Sequence, residues 1–418
     1  MNSIQSRNTE DQKFSFLYLF LVISFIVLFK GPFYYLHNYL AGTVGFLIGF
    51  CCIFYIVIKQ RSITINMLIV IFAWLLIEIW KLLPFRENVA IGPGYITIIL
   101  LVGFLALNNE NKFKFLQHAR MVGAILGLLS FVVMVLLVTG LDLPYYHLEQ
   151  TFRNPNQFYY LFPGTLVLSS QLFDLPTGGN IIRSSGLFFA EPGHFGVFLG
   201  LLLAANSFSF KEYKDKFILL GGISTVSGSF FAIFLVGIIA KYILKFLFFM
   251  LSYRIKIRNI LLLVLSVFLS IGFIYSFINY TPERFQDRVL WNRFAVDASR
   301  GDSFLESRAS YDFNAFFKEY STTPQSLVGI GTGRDRVLRA SDMRSIVVSY
   351  GWVIIFLYML ALGLIFLPSS ARIELKIMIF LTLLVVTLHR VAYVDSLLVV
   401  SIISSALASN TSTYCIKK

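Results

Sequence analysis

The sequence is poor in charge and lacks the motifs with which soluble enzymes hold nucleotides or metal ions. Only 14% of its 418 residues are charged and 57% are apolar, which excludes an independent soluble domain. No Walker-type lysine follows its glycines, and no Asp-x-Asp pair accompanies a predicted nucleotide-sugar fold. Its three cysteines, two of them the adjacent Cys51 and Cys52, form neither a disulfide framework nor a metal-binding spacing. We therefore expect no cofactor and no metal.

The net charge of +13 does not indicate a nucleic-acid partner. Nothing in the chain resembles a helix-turn-helix, a zinc finger or an aromatic RNA-binding surface. Most of the excess positive charge is lysine that orients membrane helices and lies against anionic lipid headgroups. Membrane lipids are accordingly the first expected partner.

Apolar runs long enough to cross about 30 Å of hydrocarbon recur along the whole chain. They predict an all-α, polytopic integral membrane protein with about twelve transmembrane helices, forming a single membrane domain over residues 1–418. The first run lacks a small-residue cleavage site, so it is expected to be a retained span. The candidate spans lie near residues 14–30, 39–58, 63–80, 94–107, 121–139, 186–206, 217–228, 229–250, 259–279, 346–367, 377–388 and 393–410.

The distribution of lysine and arginine predicts the topology. With a cytoplasmic amino terminus, the segments KQRS, NKFKFLQHAR, KEYKDK, YRIKIR, ARIELK and the terminal KK all lie inside, and so does the carboxyl terminus. Two long segments then lie outside: an external loop at residues 140–185 and a larger one at residues 280–345. We expect the protein in the cytoplasmic (inner) membrane, with its active site on the external face.

The external face carries arginine where the internal face carries lysine. The inside has 13 Lys and 6 Arg, and the outside has 3 Lys and 13 Arg. Membrane topology needs only positive charge, whereas bidentate recognition of phosphate or carboxylate favours the arginine fork. The asymmetry indicates an external site for an anionic ligand. Alternatively, these arginines pair with the nine acidic residues of the larger loop.

The larger external loop contains a predicted amphipathic helix over residues 304–320. Ser303 and Glu306 form a capping box, and one stripe is apolar, with Arg308 at its border. The stripe should pack on the membrane domain; it consists of Leu305, Ala309, Phe313, Phe316 and Tyr320. Glycines that permit a tight turn come next in the chain. They are followed by candidate ligand-binding and catalytic residues, which are Arg334, Arg336, Arg339, Asp342 and Arg344.

An acid and an imidazole occur in an otherwise apolar run. Glu191 and His194, spaced i and i+3, share one face of a span expected to begin outside near Gly186. Ionisable groups in a span usually face a cavity or a partner, which places both residues at the mouth of an outward-open cavity. The alternative is a structural pair between Glu191 and Arg183 or another external arginine.

Together these segments resemble the Wzy-type O-antigen polymerases. The resemblance covers roughly residues 120–410 and lies in the order of five segments: RSSGLFFAEPGHFGVFLGLLLA, STVSGSFFAIFL, ESRASYDFNAFF, GIGTGRDR and SDMRSIVVSYGWVIIFLYML. The related O-antigen ligases share this layout. A further family feature, an arginine separated by ten residues from a glycine, is met by Arg153 and Gly164.

Two positions depart from the ligase pattern. Ligases carry an external histidine shortly before the span that begins here near Ile346, where this chain has Asp342, and this favours a polymerase. They also commonly have Ser-Arg at the serine-rich break, where this chain has Ser227-Gly228. The role of that arginine therefore cannot be transferred by position.

The resemblance implies a GT-C-like membrane glycosyltransferase that uses an undecaprenyl-diphosphate-linked oligosaccharide on the outer leaflet, with a chain-length regulator protein as a further partner. Arginines such as Arg183 and Arg308 would hold the diphosphate, and Glu191 or Asp342 would act on the acceptor hydroxyl. The sequence does not choose between these two carboxylates, nor between inversion and retention. A ligase and a lipid-linked sugar flippase are the alternative functions, although a transporter tends to show repeated halves and midplane charges.

Overall fold

A computed structural model describes residues 16–29, 40–60, 64–82, 96–148, 158–169, 182–252, 311–331, 343–390 and 396–408. Helices predominate among them. The helices are α1 (Phe16–Leu28), α2 (Leu40–Gln60), α3 (Ile65–Leu82), α4 (Ile96–Leu105), α5 (Asn109–Val138), α6 (Pro192–Ala205), α7 (Tyr213–Ser224), α8 (Gly228–Ser252), α9 (Tyr311–Tyr320), α10 (Met343–Tyr350), α11 (Trp352–Phe366), α12 (Ile373–Arg390) and α13 (Leu397–Ala408).

Several of these helices could cross a membrane, which confirms the general prediction of a helical membrane protein. Three described helices are long and apolar enough, within α2, α5 and α8, and the bent pair α10 and α11 would make a fourth. The predicted count of about twelve is not reached in the described ranges. Other apolar runs form helices shorter than the roughly 20 residues that a span requires, as α6 and α13 do. The candidate span at residues 259–279 lies outside the described residues.

An antiparallel sheet occupies much of the segment expected to be an external loop, and this departs from the all-α prediction. Its strands pair in the order β1 (Tyr146–Leu148), β2 (Phe158–Phe162), β3 (Thr165–Ser169) and β4 (Ile182–Gly186). The β2–β3 turn is Pro163-Gly164, in which Gly164 has a φ of +84°, as a proline-glycine turn of type II requires. Aromatic and β-branched residues favour the pleated conformation in these strands.

Helices α5 and α7 pack with their backbones close together at two glycines. A Cβ atom added to Gly221 would lie 2.2 Å from the Cα of Gly127, so neither glycine has room for a side chain. Arg120 of α5 contacts Asp215 of α7 further toward the start of both helices. From the Arg120 contact to the Gly127 contact, the residue numbers increase in both helices, so α5 and α7 run parallel.

A buried ionic network fixes the start of α7 against α5. The Arg120 guanidinium donates through Nη2 to Asp215 at 2.9 Å and to Glu212 at 3.2 Å, and Asn206 Nδ2 donates to the second oxygen of Asp215 at 2.7 Å. Asp215 is fully buried and Arg120 is nearly so. Because a buried charge is costly unless it is paired, this network holds the α6–α7 connection and α5 in one register.

The amphipathic helix predicted over residues 304–320 is present in its second half, as α9. Phe313 and Tyr320 of its apolar face pack with Val348 of α10. Residues 304–310, including the predicted capping box, lie outside the described residues. Burial raises the pKa of the Tyr320 phenol, which donates to the carbonyl of Gln325 at 3.0 Å.

The glycines after α9 make the tight approach that their spacing indicated. Gly329 and Gly331 both have positive φ, and the N–H groups of Ile330 and Gly331 donate to the carbonyls of Val348 and Ser349 near the end of α10. The chain then bends by 111° at Gly351, between α10 and α11. Helix α9 and the turn after it are thereby joined to α10 by backbone hydrogen bonds as well as by apolar contacts.

Gly221→Ala tests the approach of α5 and α7. The added methyl would meet the backbone of Gly127, so we expect a loss of about 1–3 kcal/mol of stability. Gly363→Ala in α11 is the matched control, because nothing lies within 4 Å of its added Cβ, and helix propensity should make it neutral or slightly stabilising. Thermal unfolding of the purified proteins measures both. Equal melting temperatures for the two variants would contradict the packing.

Candidate functional site

Strand β4 brings Arg183 to the break between α7 and α8. Its Nε–H donates to the carbonyl of Thr225 at 3.4 Å, although the two residues belong to different parts of the chain. The bond uses one of the five N–H donors of the guanidinium. Arg183 therefore provides positive charge at the serine-rich break. The break itself lacks an arginine, since this chain has Ser227-Gly228 where the ligases commonly have Ser-Arg. We call the region formed by Arg183, the start of α6 at Glu191 and Thr225–Ser227 the outer junction, after the face to which the topology prediction assigns it.

The break holds a strained backbone. Val226 has a φ of +45°, a left-handed conformation that β-branched residues rarely adopt. The hydroxyls of Ser224 and Thr225 donate to the carbonyls of Gly221 and Gly222, which satisfies the end of α7. Strain of this kind persists only where the surroundings enforce it, and it is concentrated at functional sites. The break is consequently a better candidate than an ordinary interhelical turn.

Helix α6 begins later than the sequence analysis predicted. Glu191 is its N-cap in an extended conformation, and Pro192 is the first helical residue, where its missing N–H costs no hydrogen bond. The helix predicted to begin near Gly186 therefore starts six residues later, at the Glu191-Pro192 step. Glu191 thus lies at the amino-terminal end of α6 and is partly exposed, and its carboxylate does not cap the helix.

His194 lies in an aromatic layer. Its side chain is buried, with only 4% of the residue exposed, and its ring meets that of Phe29 edge-on at a centroid distance of 5.7 Å. The Phe189 ring also meets the Phe29 ring edge-on, at a centroid distance of 6.3 Å. This environment favours a structural role for His194 over direct contact with a polar ligand.

Close packing joins the start of α6 to the break. A Cβ on Gly196 would lie 3.1 Å from the Cβ of Ser227, and one on Gly186 would lie within 3.2 Å of the Phe195 ring. Glu191 is one helical turn before Phe195, whose N–H donates to its carbonyl. The structure therefore places Arg183 on the break and Glu191 at the start of the helix that packs against the break.

A chain of three hydrogen-bonded hydroxyl groups connects β4 to β3 and α5, and the sequence did not predict it. Ser130 of α5, Thr165 of β3 and Ser184 of β4 are all buried, with oxygen separations of 2.9 and 2.8 Å. The serine next to Ser184, Ser185, donates to the carbonyl of Leu166. The available signal was Ser130, a hydroxyl in the apolar run LLSFVVMVLL.

The outer junction is recessed relative to the end of α5. Since Gly221 is level with Gly127, the end of α7 is level with Ser130, roughly 12 Å or about eight residues before the end of α5. Helices α6 and α7 have only 14 and 12 residues, so the sheet fills the space above them. The polar groups of the junction are therefore surrounded by protein, as polar groups at membrane depth must be.

The other predicted site residues do not belong to the described part of this junction. The Arg344 guanidinium lies over the Phe313 and Phe317 rings of α9, at 5.7 and 6.0 Å from their centroids. Gly164 serves the β2–β3 turn and packs on Leu129. The predicted residues outside the described ranges are Arg153, Arg308, Arg334, Arg336, Arg339 and Asp342.

Within the described ranges, no group of three or more histidine, cysteine and acidic side chains is arranged to hold a metal ion. Comparison of the chain with protein-family models, with characterised proteins and with solved structures finds no match. The resemblance to the Wzy-type polymerases thus rests on the order of its motifs.

Thr165→Val tests the hydroxyl chain. Valine keeps the shape of threonine but removes the central partner of Ser130 and Ser184, so we expect a loss of about 1–3 kcal/mol in unfolding free energy. Thr139→Val is the control, because Thr139 is exposed and its change should stay within about 0.5 kcal/mol. Denaturation in a mild detergent measures both. A Thr165→Val protein as stable as the control would rule out the chain as a support of β4.

Proposed function

We propose that this protein is a membrane glycosyltransferase that polymerises polyprenyl-diphosphate-linked oligosaccharide repeat units, for O-antigen or another surface polysaccharide, on the outer leaflet of the cytoplasmic membrane. The observation that carries the proposal is the hydrogen bond of Arg183 to the α7–α8 break, against which the first turns of α6, whose N-cap residue is Glu191, also pack. The order of the five sequence motifs gives independent support. In this proposal both termini are cytoplasmic and the sheet faces outward.

The chemistry requires two kinds of group. The acceptor hydroxyl forms a bond to the anomeric carbon of the donor glycan while the bond from that carbon to the polyprenyl diphosphate breaks. The diphosphate leaves with the electron pair, and a guanidinium at its oxygens stabilises the developing charge. A carboxylate that accepts the hydroxyl proton or orients the hydroxyl assists the attack. Arg183 takes the first role and Glu191 the second.

The position of α8 also suits an anionic leaving group. The positive end of its helix dipole begins at Gly228, directly after the break that Arg183 contacts. Arg183 and the start of α8 together place positive charge in the recess. The arginines of the larger external loop would complete the site in this proposal.

Arg183→Lys tests the proposal in a host from which the chromosomal copy has been removed. The glycan of the host that lacks the protein identifies the missing function. Single repeat units on the surface indicate loss of a polymerase, no repeat units on the surface indicate loss of a flippase, and unattached polymer indicates loss of a ligase. We expect the Arg183→Lys copy to restore little polymer, because lysine keeps the charge but loses the fork geometry. Glycan length on a gel is the measurement, at equal amounts of inserted protein.

Arg372→Lys is the matched control for this experiment. Arg372 is exposed at the start of α12, on the face that the topology prediction assigns to the cytoplasm, and its lysine variant should restore full-length polymer. Normal polymer from both lysine variants would reject the role of Arg183. Polymer in the host that lacks the protein altogether would reject the polymerase.

Glu191→Gln separates chemistry from packing, since it keeps the shape and removes the charge. We expect normal insertion and only single repeat units from this variant, and a milder defect from His194→Gln, because His194 packs in the aromatic layer. Glu374→Gln is the control: Glu374 is also partly exposed and lies in the first turn of α12. Full-length polymer from correctly inserted Glu191→Gln protein would leave Asp342 as the candidate base.

A further inference from the structure

A second polar site lies at the end of the bundle opposite the outer junction. Here α3 and α5 begin, and α4, α11 and α13 end. They surround a cavity of about 360 Å³. By the lysine distribution, this end is the cytoplasmic one. The cavity shares no residue with the outer junction.

The cavity contains a buried positive charge. Lys112 lines it and is only 7% exposed, and its Nζ donates to the carbonyl of Leu105 at 2.9 Å. That carbonyl is neutral, and no carboxylate pairs with Lys112 or lines the cavity within the described ranges. The nearby acid Glu110 is bonded to Lys114 at 2.7 Å. A buried ammonium without a counter-charge is costly, so a bound anion would stabilise it.

The remaining walls are divided between hydrogen-bonding and apolar groups. The polar walls bear hydroxyls and amides, from Thr64, Asn66, Asn108, Asn109, Ser369 and Ser404. The apolar walls come from Met67, Val70, Leu364 and Leu407. Such walls match a ligand with a negatively charged, hydroxylated head and an apolar body.

The surface beside the cavity favours a lipid over a soluble molecule. Ile65, Leu68 and Leu367 are each adjacent in the chain to a residue that lines the cavity. They are 74%, 52% and 81% exposed, respectively. In a membrane protein, exposed apolar side chains of this size face acyl chains. A phospholipid could place its tails on this surface while its head enters the cavity.

We propose that this cavity binds the phosphate of an anionic phospholipid with a hydroxylated headgroup, with Lys112 as the phosphate ligand. The hydroxyl and amide groups of the wall then bind the polar remainder of the head. The same phosphate chemistry could be supplied by a soluble phosphate, and the experiment below distinguishes the two sources.

The test compares melting temperatures of the purified full chain in a neutral detergent with added phosphatidylglycerol, phosphatidylcholine or inorganic phosphate. We expect phosphatidylglycerol alone to raise the melting temperature of the wild type. Lys112→Met should bind phosphatidylglycerol at least about tenfold more weakly and lose the rise, because the charged hydrogen bond is gone. Lys114→Met, which removes an exposed lysine from the same helix, should keep the rise.

Three results would overturn the proposal. One is an equal rise with phosphatidylcholine, which would be a general lipid effect. Another is an undiminished rise in Lys112→Met. The third is a Lys112-dependent rise with inorganic phosphate alone, which would assign the cavity to a soluble ligand. Should Lys112→Met fail to fold, Lys112→Gln keeps a donor for Leu105, removes the charge and provides the same comparison.

Discussion

The close approach of α5 and α7 at Gly127 and Gly221 sets the geometry on which the rest of the outer site depends. With the two backbones in contact, α7 must end level with Ser130, and the α7–α8 break must lie beneath the sheet. The buried Arg120–Asp215 pair fixes the same two helices along their length. Glycine contact determines the separation of the helices and the ion pair determines their register, so a change in either would displace the Thr225 carbonyl from Arg183.

The helical part of the fold could be predicted from apolar runs, because the composition of each run is a local property of the sequence and does not depend on its partners. The boundaries were less accessible, because a run of apolar residues does not distinguish a strand from a helix. The apolar run that leads into α6 begins near Gly186, yet Gly186 still pairs with Leu166 in the sheet and Pro192 starts the helix. The dipeptide Pro163-Gly164 between aromatic and β-branched residues did signal a hairpin, and it could have revealed the sheet.

In the candidate site, too, some residues could be predicted from the sequence and their partners could not. Arg183 and Glu191 were recognisable as polar residues in unusual places. The partner of Arg183 is the carbonyl of Thr225, and no side-chain pattern announces a backbone acceptor. The burial of Lys112 was also not predictable, since in the sequence it is one of several lysines in a basic segment, and only the packing of five helix ends encloses it.

The bend at Gly351 lies where the segment predicted to be external meets α11. Helix α9 packs on α10, and the turn after α9 is hydrogen-bonded to α10, so these parts form one packed unit. Gly351, with a φ of +80°, separates this unit from α11 and packs on the backbone of Leu327, which leaves no room for a side chain. The Trp80 indole of α3 donates to the Tyr350 carbonyl beside Gly351. The packing of α9 on α10 is therefore coupled to the position of α3 through a hydrogen bond to the backbone at this bend.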